Sequence, residues 1–330
     1  METLEAEARK NPKRIVFPET NNEMILKAAE QVVAKKIGYP VLIGNQEAIE
    51  AFAKEVGVSC QGFTYYDNAS ESLREELASE YLMKFGDFSE KAIKRKSKDA
   101  VNLAMFLLKL GKADCVAAGR EYTTADVIIA AQGIVGLQEG CNVVSSLGIL
   151  NVPGFAGPEG EMLAIADCAV NAAPDSNDLA DIAISSADTI ASLLKWEPRV
   201  AMLSFSTIGS SEHESIDVIR EAVEIVKKRR PEIKIDGEFQ LDAALNPNVA
   251  KKKVNRESEV AGKANILIFP NLHAGNIGVK LIQTFGKADA YGPVLQGFAL
   301  PVCDFSRSAP LSEMMGNIVM LIIRAQGGEC

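Results

Sequence analysis

Three short polar stretches of this 330-residue chain hold side chains able to do chemistry. LQGFALPVCDFSRSAPLSE, residues 295–313, reads as a strand running into Asp304, Ser306 and Arg307, with Pro310 opening a helix that carries Ser312 and Glu313 in its first turn. An arginine grips phosphate oxygens in a two-point fork, a hydroxyl donates a hydrogen bond, and a carboxylate accepts a proton. The same residues also fit a structural role, with Ser306 or Ser308 capping the helix and Glu313 complementing its dipole. AAGREYTTAD, residues 117–126, places Arg120, Thr123 and Thr124 between a strand and a helix. Arg120 there is either an anion ligand or an ordinary surface arginine. SFSTIGSSE, residues 204–212, sets Ser206, Thr207, Gly209, Ser210 and Ser211 where a strand feeds a helix N-terminus. Amides and hydroxyls in that position bind anions, and plain capping by Ser210 or Ser211 is the alternative.

Other chemistries lack their residues. No Walker loop is present and no GxGxxG follows a strand, which removes the main support for a nucleotide hydrolase or a dinucleotide enzyme. His213 and His273 are the only imidazoles, and the cysteines at 60, 115, 141, 168, 303 and 330 form no CxxC pair. Asp167, Asp175, Asp178 and Asp181 read as helix-start charges rather than as an oxygen cage, so no metal site is expected. Carboxylates, hydroxyls, arginines and backbone amides must then do the work. With 35 basic and 44 acidic residues the net charge is −9, which argues against nucleic acid or an anionic membrane as partner while leaving small anions open. KKRR at 227–230 closes a helix before Pro231, where cations complement the helix dipole on a solvated face. The polar start METLEAEARKNPKR is no secretory signal, and no apolar run approaches the roughly 20 residues that span a bilayer, so a reduced, cytoplasmic protein is expected.

The elements that must position these stretches follow from periodicity. Strands are predicted at 14–17, 40–43, 115–118, 162–166, 200–205, 266–269 and 294–298. Helices are predicted at 23–34, 47–56, 70–84, 99–110, 177–194, 214–228, 277–284 and 312–325. Such alternation means an α/β protein with parallel sheets covered by helices on both faces, and ligands gather at the carboxyl ends of the strands. Residues 143–150 and 162–167, separated by NVPGFAGPEGE, read instead as a hairpin protruding from that pattern. The chain length suits two domains.

At this point a resemblance emerges. RVAMLSFSTIGSSE, IDGEFQLDAAL, ILIFPNLHAGNIGVK and GPVLQGFALPVCDFSR closely resemble the phosphate acetyltransferase (phosphotransacetylase) family. RIVFPET at 14–20, TAD at 124–126, VVSS at 143–146 and IADCAVNAAPDSNDLADIA at 165–183 match in the same order, so the likeness spans essentially the whole chain. It implies two isocitrate-dehydrogenase-like α/β domains with an active-site cleft between them, residues 1–142 plus 295–330 forming the first and 143–294 the second. It also implies a homodimer and the reaction acetyl-CoA + phosphate ⇌ CoA + acetyl phosphate. The partners implied are small molecules: CoA, acetyl-CoA, phosphate and acetyl phosphate. CoA is then a substrate, and no tightly bound cofactor is implied.

That chemistry suits a histidine-poor chain. A thiol with a pKa of about 8.5 attacks better as the thiolate, so a carboxylate base is useful. The carbonyl oxygen needs a donor as it gains charge, and the leaving phosphate needs a bidentate cation. Carried over residue by residue, Ser306 of DFSR is the donor and Arg307 the phosphate ligand. Glu313 stands where the family has an aspartate base. The substrate-binding positions are Arg120, Thr123, Thr124, Ser145 of VVSS, Ser206 and Thr207 of SFST, Asn276 and Lys280 of GNIGVK, and Gln296 of GPVLQG. The sequence departs from the pattern at Met24, Ile129 and Thr284, where the family usually has arginine, and at Ser308, where it has glycine. Arg120, in the same loop as the 129 helix, is expected to stand in for the arginine missing at Ile129. A phosphate butyryl- or propionyltransferase and a non-catalytic acyl-CoA-sensing module are the alternatives that the resemblance leaves open.

Overall fold

β1 (Lys13–Phe17) buries Ile15, Val16 and Phe17 in succession, with no alternation of polar residues, as a strand covered on both faces must. The computed structural model describes residues 2–327, so Cys330 lies outside the described residues. Two compact units are present, one formed by residues up to 138 and from 298 onward, the other by 139–297.

The first unit begins with α1 (Glu2–Ala8), β1, α2 (Glu23–Ala34), β2 (Gly38–Ile43), α3 (Gln46–Glu55), β3 (Thr64–Tyr66), α4 (Glu71–Lys84), α5 (Glu90–Lys96), α6 (Ala100–Lys109), β4 (Cys115–Ala118) and α7 (Thr124–Ile134). The second unit holds β5 (Ser145–Asn151), β6 (Met162–Ala166), α8 (Ser176–Leu194), β7 (Arg199–Leu203), α9 (Glu214–Arg229) and β8 (Lys234–Phe239). It continues through α10 (Leu241–Leu245), α11 (Pro247–Lys253), β9 (Ile266–Ile268), α12 (Leu272–Gly286) and β10 (Asp289–Gln296). The chain then re-enters the first unit as β11 (Val302–Asp304) and α13 (Leu311–Gln326).

The first sheet has the order β11-β4-β1-β2-β3 and every pairing is parallel. Asp304 lies opposite Ala118, so β4 and β11 end side by side and their outgoing loops must share one surface. Polar caps start the helices: Asn22 accepts from the N–H of Met24 and Ile25, and Asp99 from that of Asn102. α13 is buried all round from Met314 to Arg324, as a central helix of a large core is.

The second sheet, β10-β5-β6-β9-β7-β8, is parallel from β6 to β8, while β5 runs antiparallel to both β6 and β10. Both units are therefore α/β with mainly parallel sheets flanked by helices. The predicted hairpin forms but does not protrude, because buried Leu163–Ala166 make β6 an interior strand paired on both edges. α12 is longer than the predicted 277–284, since Asn271 caps it and accepts from the N–H of Ala274. Its glycines hid the first turn, yet Gly275 is required there because a Cβ would collide with the carbonyl oxygen of Asp167. The basic run 227–230 is only partly solvated. Arg229 pairs with Asp181 and Arg230 with Asp188, which ties α9 to α8.

Candidate active site

The exits of β4 and β11 are interlocked. Phe305 donates its N–H to the carbonyl of Ala118 (2.6 Å), and Asp304 Oδ2 accepts from Thr124 Oγ1 (2.6 Å). Gly119 has φ +106° and lies so close that a Cβ would collide with Asp304 Oδ1 and stand 2.7 Å from the Phe305 nitrogen, so only glycine fits. Arg120 Nη1 then reaches across to donate to the carbonyls of Ser306 (3.0 Å) and Ala309 (3.2 Å). Beyond Asp304 the turn Ser306–Arg307–Ser308 is exposed, and Glu313 follows half-buried in the first turn of α13. Arg120, Thr123, Thr124, Ser306, Arg307 and Glu313 thus share the carboxyl ends of two adjacent strands.

Neither serine caps the helix. Pro310 occupies the N-cap of α13 with no side-chain bond, while Ser306 and Ser308 face each other at 3.3 Å. The threonines do serve structure: Thr123 and Asp126 form a reciprocal capping box at α7, and the Thr124 hydroxyl is committed to Asp304. Arg120 is not a free surface cation, since it bonds the turn and its Nε is buried without a partner. Ile129 is 68% exposed, an apolar side chain at solvent where the resemblance led us to expect an arginine.

Burial sets the proton affinities here. Desolvation pushes Asp304 up to about 6; nearby Glu19 adds to the rise, while the Thr124 bond and the charge of Arg307 oppose it. Burial likewise holds Glu313 above the ordinary carboxylate value against the opposing charge of Arg120. Asp126 is lowered, first by its bonds from Thr123 and last by Arg307.

The second unit places its candidates in separate groups, and among the described residues no hydrogen bond joins them. Ser145 and Gln296 are buried, and Gln296 Nε2 donates to Ser145 Oγ and Ser186 Oγ at 2.9 Å each. They join β5, β10 and α8 from inside, so as placed they serve the core rather than a solvent-facing surface. Ser206 and Thr207 are buried as well. Ser206 donates to Glu238 (2.8 Å), and the Thr207 hydroxyl accepts from the Gln240 N–H (3.0 Å). Capping of α9 by Ser210 or Ser211 does not occur; His213 Nδ1 accepts from the Ser215 N–H instead. Asn276 and Lys280 are exposed, one turn apart on α12, with Asn276 Nδ2 donating to the Cys168 carbonyl (3.2 Å). Of the four aspartates predicted as helix-start charges, Asp175 and Asp178 make the capping box of α8. Asp167 instead accepts from Ser146 and from the backbone of 169–171, and Asp181 binds Arg229.

Two carboxylates escaped sequence reasoning. Glu19, at the end of RIVFPET, accepts from four backbone amides about a hundred residues away, and Glu238, inside IDGEFQLDAAL, is held by Arg220. An acid two positions past the end of an apolar strand was the available signal in RIVFPET. Among the described residues no group of three or more His, Cys, Asp or Glu could hold a metal ion, and no helix is long and apolar enough to cross a membrane.

Comparison with known proteins places the sequence and the fold. The model of the phosphate acetyl/butaryl transferase family matches residues 1–322. A phosphate acetyltransferase of Thermoanaerobacterium thermosaccharolyticum is 40% identical over 333 residues, covering 99% of both chains. That of Bacillus subtilis is 40% identical over 314 residues, covering 95% of this chain and 94% of its own. A phosphotransacetylase structure from Streptococcus pyogenes superposes with a TM-score of 0.90 at 31% identity, over 99% of this chain and 98% of that one. The chain therefore belongs to the phosphate acetyl/butaryl transferase family.

Proposed function

We propose that the protein is a phosphate acetyltransferase that interconverts acetyl-CoA and phosphate with CoA and acetyl phosphate, using the 306–313 segment. The observation that carries this is the exposed Ser306–Arg307 pair immediately ahead of a half-buried Glu313, on a turn held by Arg120. In the direction of acetyl-CoA synthesis, Glu313 accepts the CoA thiol proton and the sulfur attacks the acetyl carbonyl carbon. The bond from that carbon to the phosphate oxygen breaks, and the electron pair departs with phosphate, whose charge Arg307 holds in a two-point contact. Ser306 donates to the carbonyl oxygen while it carries negative charge. The raised pKa of Glu313 makes its carboxylate a stronger base than an ordinary glutamate, provided the pH keeps it ionised.

Arg120 enters as the turn's support and as the cation beside Glu313. Thr123 and Thr124 fix the start of α7 behind it. Asn276 and Lys280, exposed one turn apart on α12, present a hydrogen-bond donor and a cation on the surface of the second unit. CoA is a substrate in this scheme and no resident cofactor takes part. A homodimer completes the proposal, with α12 as its contact.

The test is phosphate-dependent release of free thiol from acetyl-CoA by wild type and Glu313→Gln. Loss of turnover by at least about 100-fold with retained CoA binding is expected for removal of a general base. Near-normal turnover in that variant removes Glu313 from the mechanism. Absence of release by the wild type, with CoA still bound, would favour the acyl-CoA-sensing alternative, and rates with a panel of acyl-CoAs fix the chain-length preference.

A further inference from the structure

Four successive backbone N–H groups, from Gly119 to Tyr122, converge on a single carboxylate. Glu19 Oε1 accepts from Gly119 (3.2 Å), Glu121 (2.6 Å) and Tyr122 (2.9 Å), and Oε2 accepts from Arg120 (3.1 Å). Glu19 is 2% exposed, so these bonds are made away from water. Successive N–H groups arranged this way form an anion-binding concavity. Here the chain fills the concavity with its own carboxylate, so the amides of 119–122 are not left for a substrate phosphate.

The consequence lies on the other side of the loop. Arg120 is held from behind by Glu19 at its backbone nitrogen, and its guanidinium extends forward to the carbonyls of Ser306 and Ala309. Those two carbonyls bracket Arg307. Ala309 also donates its N–H to the Ser306 carbonyl (3.0 Å), so that one oxygen receives both the turn's own bond and that of Arg120. Neighbouring bonds keep Glu19 in place: Thr20 Oγ1 donates to the Ile43 carbonyl (2.8 Å), and the Tyr122 hydroxyl donates to Asp99 (2.8 Å).

We propose that Glu19 is a positioning residue of the active site, which acts through the 119–122 loop and Arg120 to set the turn that presents Ser306 and Arg307. The proposal rests on the assignment of chemistry to Ser306 and Arg307 made above. Glu19 touches no reacting atom; it works through the backbone of the loop. Glutamine at this position is nearly the same shape but replaces one acceptor oxygen with an NH2 donor, which opposes at least one of the four N–H groups. The loop must then shift, and displacements of about 1 Å at such distances from the chemistry can lower rates by about 100-fold.

The experiment compares kcat and both Michaelis constants for wild type, Glu19→Gln, Arg120→Ala, the double variant and Arg307→Ala, with thermal melts on each. Glu19→Gln is expected to lower kcat by about tenfold to 100-fold. It should raise the KM for phosphate and leave the KM for acetyl-CoA within about twofold of wild type. Because the two residues act in series, the double variant should be no worse than Arg120→Ala alone, whereas independent effects multiply. Wild-type kcat and phosphate KM in Glu19→Gln, or multiplying effects in the double variant, overturn the proposal. A lower Tm alone, with kinetics unchanged, would reduce Glu19 to a structural role and overturn it equally. If Glu19→Gln does not fold, Glu19→Asp keeps the charge but withdraws both oxygens by a methylene, and the same coupling with Arg120→Ala decides. Arg307→Ala separates the two levels. Undiminished phosphate turnover there defeats the site assignment itself, whereas its loss beside a normal Glu19→Gln defeats only the positioning role.

Discussion

Asp304 ends β11 with one carboxylate oxygen bonded to Thr124 and the other buried without a partner, beside Glu19. Its environment therefore favours the neutral acid. The pKa rises from 3.8 in the unfolded chain to about 6 in the folded protein, so between these values the native state binds the extra proton. Its contribution to stability is fully present below 3.8, declines as pH rises through about 6, and is absent above that. The gap of roughly two units corresponds to about 3 kcal/mol at most. Asp304→Asn keeps an oxygen for Thr124 and removes the ionisation. Relative to wild type, the variant should gain most at pH 8 and progressively less toward pH 4, measured as urea midpoints across that range. A stability difference that does not change with pH would show that the folded protein leaves the Asp304 pKa where the unfolded chain has it. The same residue illustrates what the sequence concealed. DFSR was legible as a strand end with an anion-binding arginine, but nothing local showed that Asp304 faces Thr124, 180 positions earlier in the chain.

At the scale of elements, the loop after β7 shows how a stretch of small polar residues divides its tasks. Ser206, the Gly209 N–H and Arg220 Nε and Nη2 converge on Glu238, which is 2% exposed on β8. Burial alone would raise this carboxylate, yet the bonds from Arg220, Gly209 and Ser206 outweigh it and bring the pKa to about 2 from 4.5. A depressed pKa stabilises the fold above pH 4.5, and that contribution disappears as pH falls through about 2. Glu238→Gln should therefore cost about 3 kcal/mol near neutral pH, with the penalty shrinking below pH 4.5, as read from denaturant titrations. An equal penalty at pH 7 and pH 2.5 would mean that shape rather than charge holds the loop. The elements themselves were readable where period and composition agreed, as in β1, β4, α6 and α13. They were misread where tertiary contact overrules local signals. The start of α12 was hidden because glycines there answer to a backbone 108 positions away rather than to helix propensity. β10 starts at Asp289, five residues ahead of the predicted 294–298, because it continues through Gly292 and Pro293 across the register shift between Tyr291 and Val294. His213 caps α9 in place of the two serines: the Ser210 hydroxyl is engaged by Ser206 and by the Thr207 N–H, and Ser211 donates its backbone N–H to Ser206.

At the scale of the whole molecule, α12 carries an exposed apolar face. Among its fifteen residues only Gly275 is buried, while Ile277 (55%), Leu281 (51%) and Phe285 (79%) are exposed at four-residue intervals along one face. Single exposed apolar residues are ordinary, but a stripe of three large ones on one helix marks a contact surface. The neighbouring edge of the sheet is poorly suited to strand pairing. β10 is an edge strand, and its register shift and Pro293 interrupt the ladder that another strand would need. A helix face can meet its own copy across a two-fold axis, so that each side chain finds its counterpart and both stripes leave water together. On this basis the dimer should form through α12, and Leu281→Glu with Phe285→Glu should dissociate it, because two carboxylates per chain would enter an apolar contact and repel their symmetry mates. Sedimentation equilibrium should give twice the chain mass for wild type and a single chain for the double variant. Far-ultraviolet circular dichroism of the variant should be unchanged, because neither side chain supports the core of its own chain. A double variant that sediments like wild type would place the contact elsewhere, and a monomeric wild type would leave the stripe without a second copy to cover it.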